Sequence, residues 1–241
     1  MKTPNWLVLD IDGVLIDVSN SYDRAVELTV RHFLDAQGSE VNFSEKTVRE
    51  LRETGRFGDD YKLTEVLVHA GLSKNHRQFI EKFPRGAGVG WARKEADSKV
   101  NKTEIVEVFD EFYLGPEPVP SPRGLWAREE PLVDTSLLNK ISERHKLGFV
   151  TGRSREELEL ASQILEYELK NAVTSDEYLK PDPRALSSLV GRERGVYVGD
   201  THNDEQLVRN HNDEGGSFTF IMVTEETGIN DILQRIIRNS N

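Results

Sequence analysis

Two carboxylates, one residue apart, follow an apolar run near the start of the chain. The run Trp6–Leu9 leads into Asp10 and Asp12, and Gly13 comes next. Such an uninterrupted apolar run is typical of a parallel strand buried on both faces. Alternation along a strand would place both acids on one side, and two like charges that close are costly unless a cation lies between them. An acidic turn that merely ends the strand in solvent is the alternative for this stretch alone.

A second candidate lies where another predicted strand meets a helix. Thr151 and Gly152 follow the apolar segment 147–150, and Ser154 and Glu157 have the spacing of a capping box. A hydroxyl, a backbone amide and a helix N-terminus at one place suit a phosphate group. Taken alone, Thr151 is also explained as an ordinary turn residue.

A lysine and two acids follow the next two predicted strands. A proline directly follows Lys180 and keeps it extended, and Pro183 suits the first turn of a helix, so Lys180 is expected to be fixed just before that helix. Asp200 is expected at the tip of strand 196–198, and Asp204 in the first turn of the following helix, where the dipole favours an acid. A solvated loop lysine and a helix-capping aspartate are the respective alternatives.

The elements that must position these groups alternate between helix and strand. The predicted helices span about 134–144, 154–169, 184–190, 203–210 and 229–238, and the predicted strands span 147–150, 172–174, 196–198 and 218–223. This alternation predicts a parallel sheet wrapped by helices. Ligands of such sheets bind beyond the carboxyl ends of the strands, where all the candidate groups lie.

A helical insertion separates the first strand from this region. Its predicted helices span about 19–37, 44–54, 61–70, 73–83 and 102–114. The proline-rich segment 115–122 can form neither a helix nor a central strand, so we interpret it as the returning linker. The sequence therefore predicts an α/β core formed by residues 1–17 and 116–241, and a smaller all-helical domain formed by residues 18–115.

Composition narrows the classes of function. The 241 residues are 37% hydrophobic and 30% charged, as in a soluble globular protein. The net charge of −11 argues against non-specific binding to nucleic acid or to an anionic membrane. The chain has no cysteine, which excludes disulfides, thiolate metal sites and a cysteine nucleophile. The N-terminus leads straight into the first strand and no apolar stretch reaches membrane length, so we expect a cytoplasmic protein.

Taken together, the motifs resemble those of the haloacid dehalogenase-like (HAD) hydrolase superfamily. The resemblance rests on Asp10-x-Asp12-Gly13-Val14, Thr151-Gly152-Arg153, Lys180-Pro181-x-Pro183 and Gly199-Asp200-x-x-x-Asp204, in the family's order. The helical insertion after the first motif resembles the cap of the branch that contains phosphoglycolate phosphatase and β-phosphoglucomutase. The resemblance implies a Rossmann-like parallel sheet with a helical cap, and a Mg²⁺-dependent phosphatase that acts on a small phosphorylated metabolite through an aspartyl-phosphate.

The resemblance also implies a role for each residue. Asp10 is expected to be the nucleophile, and Asp12 the acid that protonates the leaving group and then takes a proton from water. Mg²⁺ is expected between Asp10 and Asp200, and Asp204 is expected to position Lys180 or to support the metal ligands. The full metal set is predicted as Asp10, Asp12, Asp200 and Asp204.

The phosphoryl group has its own predicted set of ligands. The residues expected to bind it are Thr151, Gly152, Arg153 and Lys180, of which Thr151 and Lys180 are also predicted to be catalytic. Within the insertion, the loops 55–61 and 85–94 could select the substrate, and Arg56 and Arg93 are the substrate-binding candidates there. Both loops are also compatible with plain surface segments.

Three other functions remain to be weighed. A receiver domain also gathers acids, Thr and Lys at one sheet edge, but here two acids follow the lysine, and the long insertion is foreign to a receiver. A catalytically inactive binding protein on the same fold is disfavoured because the catalytic residue types are all present. A sugar-phosphate mutase shares Asp10 and Asp12 and is the nearest alternative. The resemblance also implies that the substrate is a phosphate monoester, because relatives that act on carbon–halogen or carbon–phosphorus bonds differ at the position of Asp12.

Overall fold

A computed structural model of the chain describes residues 5–55, 57, 59–96, 98, 100–116, 119–224 and 226–239. The chain forms two compact units. We call the first, Met1–Val18 with Glu129–Asn241, the α/β unit, and the second, Ser19–Arg128, the helical unit.

A five-stranded parallel sheet organises the α/β unit, and its strand order is β5-β4-β1-β6-β7. The strands of this unit are β1 (Trp6–Leu9), β2 (Ile16–Asp17), β3 (Glu130–Pro131), β4 (Lys146–Val150), β5 (Ala172–Val173), β6 (Arg194–Gly199) and β7 (Ser217–Met222). The short strands β2 and β3 form a separate antiparallel pair. The predicted α/β fold with a parallel sheet is confirmed.

The first strand lies at the centre of the sheet, between β4 and β6. Its register aligns Leu9 with Phe149 of β4 and with Val198 of β6. All neighbouring strands in this sheet are parallel, so their carboxyl ends share one edge. From β1 the strand order runs through β4 to β5 on one side and through β6 to β7 on the other. The carboxyl end of β1 is therefore the topological switch point, where such sheets bind ligands.

Helices cover both faces of this sheet. The helices of the unit are α7 (Thr135–Ser142), α8 (Arg155–Ile164), α9 (Arg184–Val190), α10 (His202–Asp213) and α11 (Ile229–Asn239). Leu7 and Leu9 pack in one cluster with residues of α7, α8 and α11, whereas Trp6 and Val8 pack in another with residues of α9 and α10. Alternate side chains of β1 thus serve opposite layers, which explains why the whole strand is apolar.

The helical unit has its own hydrophobic core. Its helices are α1 (Tyr22–Ala36), α2 (Glu45–Gly55), α3 (Asp60–Leu72), α4 (His76–Lys82), α5 (Val89–Ala96) and α6 (Lys102–Tyr113), followed by a 3₁₀ turn at Leu125–Arg128. Helix α5 corrects the prediction of a loop over 85–94. Gly88 and Gly90 weaken the helical signal there, but Ala92 is fully buried and Trp91 packs edge-on against Phe79 and Phe83.

The chain leaves the helical unit later than predicted. The predicted boundary lies at 115–116, but the structure places it between Arg128 and Glu129. The physical reason is that the segment after the prolines folds back on α6. The backbone amide of Ser121 donates to Leu114 O at 2.7 Å, and Leu125 is buried in the core of the helical unit.

Within the described ranges, none of the helices combines the length and the apolar character needed to cross a membrane.

Candidate active site

The buried nucleophile candidate Asp10 lies one residue beyond β1. Its amide donates to Val198 O at 2.9 Å, and its Oδ1 accepts from the amide of Ile11 at 2.8 Å. The chain then turns at Gly13, whose φ of +70° lies in the left-handed region. A Cβ at Gly13 would overlap the Asp200 carboxylate. Glycine is therefore required both for the turn and for the close approach of Asp200.

Three carboxylates converge at this point. Asp10, Asp200 and Asp204 each offer an oxygen within 4.8 Å of the others. The Oδ1 atom of Asp200 is buried and has no hydrogen-bond partner among the described residues. A buried acceptor left unpaired is costly, and an oxygen-only donor set suits a hard divalent cation such as Mg²⁺. These residues therefore fit the predicted metal.

The side chain of Asp12 lies outside this carboxylate cluster. The structure thus brings together three of the four predicted metal-binding acids, Asp10, Asp200 and Asp204, and a role of Asp12 toward the metal stays a prediction. The physical reason for its separate position is the side chain's other engagement: Asp12 Oδ1 is held by Arg153.

Lys180 joins two of the three acids. Its Nζ lies 2.7 Å from Asp10 Oδ2 and 2.7 Å from Asp204 Oδ1. The side chain is only 11% exposed, so Lys180 is not the solvated loop lysine of the alternative interpretation. It is placed to offset negative charge beside the Asp10 carboxylate.

Asp204 acts both as a helix cap and as a holder of Lys180. Its Oδ2 accepts from the Thr201 amide at 3.0 Å and from the Thr201 hydroxyl at 2.5 Å, which closes a capping box at the start of α10. Its Oδ1 accepts from Lys180 and from the Tyr197 hydroxyl at 3.0 Å. Both interpretations of Asp204 therefore hold. Each Asp204 oxygen already accepts two hydrogen bonds, whereas among the described residues each Asp10 oxygen has one such contact and Asp200 Oδ1 has none, so Asp10 and Asp200 have more capacity to bind a cation.

The electrostatics of the cluster follow from burial and from the excess of acids over lysine. Burial, with Asp204 next in effect, raises the pKa of Asp10 well above its usual range, although Lys180 opposes the rise. Burial and Asp204 also raise the pKa of Asp200 to about 6. Burial alone would raise the pKa of Asp204, but Lys180 and Thr201 outweigh it and lower that pKa. A bound cation would favour the ionised forms of Asp10 and Asp200.

The predicted phosphate-binding segment follows β4 at the same sheet edge. The register pairs Leu9 with Phe149, so Thr151 lies at the level just beyond Asp10. Thr151 is buried, and its Oγ1 accepts from the Arg153 amide at 3.1 Å. Gly152 is exposed and has open space where a side chain would begin. Helix α8 starts directly afterwards with the predicted capping box of Ser154 and Glu157.

Arg153 does not face solvent, and its guanidinium binds two acids. Nε donates to Asp12 Oδ1 at 2.8 Å, and Nη2 lies 2.7 Å from the same oxygen and 2.6 Å from Glu129 Oε2. The side chains of Arg153 and Glu129 are both fully buried, whereas that of Asp12 is 27% exposed. The contacts of the guanidinium fix one oxygen of Asp12, while part of the Asp12 side chain stays accessible. A role of Arg153 in binding phosphate stays a prediction.

The two candidates in the helical unit have different outcomes. Arg56 lies outside the described residues. Arg93, half exposed, donates from Nε to Glu65 Oε1 at 2.6 Å and places Nη2 2.5 Å from the same oxygen. Glu65 is buried, so Arg93 balances a buried charge inside its own unit. A role of Arg93 toward substrate stays a prediction.

Glu129 and Tyr197 belong to the site but were missed in the sequence. Glu129 meets Arg153 across 24 positions in the chain, and no local pattern marks the pair. Tyr197 sits in an apolar strand and is naturally assigned to the core, but its hydroxyl reaches Asp204. A buried tyrosine hydroxyl needs a partner, which is the one signal that could have pointed to it.

Known proteins with related structures share this architecture. Phosphatase Tt82 from Thermococcus thioreducens, whose structure is known, shares 44% sequence identity with this chain. The two structures align with a TM-score of 0.87 over 97% of this chain and 99% of that chain. A HAD-superfamily hydrolase of subfamily IA from Geobacter sulfurreducens is 16% identical, with a TM-score of 0.52, covering 97% of each chain. At that identity the second likeness shows the fold alone.

Sequence comparison adds a more distant relative. No protein-family profile matches the chain. An imidazoleglycerol-phosphate dehydratase from Phytophthora nicotianae is 26% identical over 95% of this chain, but the chain spans only 45% of the length of that curated relative. The likeness to Tt82, at 44% identity over nearly the whole length of both chains, shows the family: the chain belongs to the haloacid dehalogenase-like (HAD) hydrolase superfamily.

Proposed function

We propose that this protein is a phosphatase that hydrolyses a small phosphate monoester with the help of Mg²⁺, through a phosphoryl group carried on Asp10. The observation that carries the proposal is the cluster at the end of β1. There, a buried Asp10 is paired with Lys180 and lies beside the unpaired Asp200 oxygen. The nucleophile, the lysine that offsets its charge and an oxygen able to bind a metal thus lie together at the switch point of the sheet.

The chemistry proceeds in two displacements. An Asp10 oxygen attacks phosphorus, the bond from phosphorus to the ester oxygen breaks, and Asp12 gives its proton to the departing alkoxide. Water then attacks the same phosphorus, passes a proton to Asp12 and releases inorganic phosphate, which restores the Asp10 carboxylate. Lys180 offsets charge beside Asp10 throughout, and Thr151 and Gly152 offer a hydroxyl and an amide to the phosphoryl oxygens. Mg²⁺ held by Asp10 and Asp200 would reduce the repulsion between carboxylate and phosphate.

The proposal predicts inorganic phosphate as the product. We expect release of phosphate from at least one small phosphorylated metabolite in a panel that includes 2-carbon acid phosphates and sugar phosphates. The release should require Mg²⁺ and stop on chelation. The measurement is free phosphate, with parallel analysis of the remaining organic product. An isomerised product that keeps its phosphate would identify a mutase instead, and no turnover of any phosphate ester would contradict the proposal.

The raised pKa of Asp200 predicts how metal binding depends on pH. A carboxyl whose pKa is about 6 in the folded chain, against its usual 3.8, binds its proton more tightly when folded. Its contribution to stability is therefore present at low pH and is lost as pH rises through about 6. Mg²⁺ binds the ionised form and restores stability there. We expect added MgCl₂ to raise the unfolding temperature clearly at about pH 7.5 and little at about pH 5.

Two variants isolate the contribution of Asp200 to that shift. Asp200→Asn should remove most of the Mg²⁺-induced rise at the higher pH, because one ionised ligand is lost. Asp213→Asn, which changes an exposed acid at the end of α10, should behave like the unmodified chain. An Asp200→Asn protein that keeps the full Mg²⁺ shift would remove Asp200 from the metal site.

A further inference from the structure

The helical unit contains a cavity that the proposed reaction does not use in any step. It lies between α1 and α2, has a volume of about 740 Å³, and reaches Leu67 of α3. Its apolar lining includes Val26, Val30 and Leu34 of α1, Phe43 of the connecting segment and Val48 of α2. Phe43 and Val48 are only partly buried, although both pack against the core. The volume lies within the range of small-molecule sites, about 300–1,000 Å³.

The lining of this cavity carries an excess of positive charge, whereas the whole chain carries a net negative charge. Among the side chains that the structure describes, five arginines line it, Arg24, Arg31, Arg49, Arg52 and Arg128, against two acids, Asp23 and Glu27. Five cations against two anions leave an excess of three positive charges, in a chain whose net charge is −11.

Both acids are already paired with arginines. Arg24 lies 2.5 Å from Glu27, and Arg52 lies 2.6 Å from Asp23. Arg31, Arg49 and Arg128 have no acidic partner in the part of the chain that the structure describes. Unpaired arginines beside an apolar cavity are suited to recognise an anion, because the guanidinium fork binds carboxylate and phosphate oxygens in pairs.

We infer that this cavity binds a small molecule that carries an anionic group on an apolar body. A free inorganic anion would leave the apolar walls exposed to water. An uncharged apolar molecule would leave Arg31, Arg49 and Arg128 without an acidic partner among the described side chains. Only a ligand with both parts satisfies both surfaces. The inference goes beyond the proposed phosphatase reaction, since it concerns the helical unit alone and needs none of the groups around Asp10.

The test uses 8-anilinonaphthalene-1-sulfonate, a fluorescent aromatic anion, titrated into the full chain without substrate. We expect saturable binding. Octanoate should displace the probe at a concentration about tenfold lower than octanol does, since a hydrogen bond to a charged group typically changes affinity by about a factor of ten. Octylammonium should be weaker than octanol. The three competitors share one alkyl chain, so the comparison isolates the charge of the head group.

Variants connect the binding to this cavity. Arg31→Glu and Arg49→Glu should each raise the Kd of the probe about tenfold or more, because each replaces an attraction by a repulsion. Val48→Trp should block binding by filling the cavity while keeping its charges. The matched control is Arg77→Glu, which makes the same charge change at an exposed position of α4 and should leave the Kd unchanged. Circular dichroism and the unfolding temperature establish that each variant is folded.

Specific results would overturn the inference. Equal displacement by octanoate, octanol and octylammonium would show that the arginines do not select an anion. An unchanged Kd in Arg31→Glu and Arg49→Glu would place the probe elsewhere, and an equal loss in Arg77→Glu would show that only overall charge matters. If a charge reversal prevents folding, Arg31→Gln and Arg49→Gln remove the charge alone and must still weaken binding at least threefold. None of these results depends on whether the α/β unit hydrolyses phosphate esters.

Discussion

Asp10→Asn is expected to abolish phosphate release, with kcat lowered by at least about 10⁴-fold. An amide is a poor nucleophile, and the substitution also removes a negative charge from the carboxylate cluster. The shape of the side chain is kept. Lys180 retains Asp204 as a partner at 2.7 Å, so the protein should still fold. The loss should therefore be one of chemistry, and the unfolding temperature should show a native structure.

Acid-quenched reactions make the assignment specific. With labelled substrate, the unmodified chain should carry phosphate on an acyl group of the protein, and Asp10→Asn should carry none. Asp213→Asn, an exposed acid in α10, is the control and should retain both turnover and labelling. Near-normal turnover by Asp10→Asn would assign the nucleophile to another residue.

The sheet and the catalytic strand ends could be predicted because their signals are local. An uninterrupted apolar run such as Trp6–Leu9, in a chain where helices and strands alternate, is typical of a central parallel strand. Parallel strands end at one edge, so Asp10 and Asp200, which follow β1 and β6, are expected to lie close together. Lys180 could be predicted from the prolines that fix the segment before α9. The capping box at Ser154 could be predicted for the same reason, since its two partners are three residues apart.

The role of Arg153 and the cavity of the helical unit could not be predicted, because both depend on contacts between residues that are distant in the sequence. Arg153 follows a phosphate-binding motif, and its type favours phosphate. Its buried position between Asp12 and Glu129 is set by how β3 and the turn after β1 come together. The cavity between α1 and α2 has no local signal either, because its arginines are spread over more than a hundred positions and resemble solvated charges. Pairing across the fold, and not residue type, decides these roles.

Asp12→Asn is expected to separate substrates by the quality of their leaving group. For an alkyl phosphate, kcat/KM should fall by about 10²–10⁴, the usual contribution of general acid catalysis. For p-nitrophenyl phosphate it should fall far less, because p-nitrophenolate departs without a proton. The comparison uses kcat/KM because this quantity covers the steps up to the cleavage of the ester bond. It therefore excludes the later hydrolysis, in which Asp12 acts as a base.

Arg153 should share that selectivity if it acts by holding Asp12. Arg153→Met removes both contacts to Asp12 Oδ1, and a misplaced acid typically costs up to about 10²-fold. Arg153→Lys keeps the charge but loses the guanidinium fork, so its effect should be intermediate. The control is Arg155→Met, an exposed arginine two residues along the chain whose partner is Glu177. It should leave both esters unaffected.

A double variant decides whether Arg153 works through Asp12 or through phosphate. Once Asp12 is asparagine, Arg153 has no acid left to position, so adding Arg153→Met should lower kcat/KM for the alkyl ester little further. A residue that binds the phosphoryl group would instead add its own loss, and that loss would be equal for the alkyl and the aryl ester, since both carry the same phosphate. If Arg153→Met lowers kcat/KM equally for both esters, and the double variant shows the product of the two single losses, then Arg153 binds the phosphoryl group. Loss confined to the alkyl ester and absent from the double variant would identify it as the group that fixes the acid.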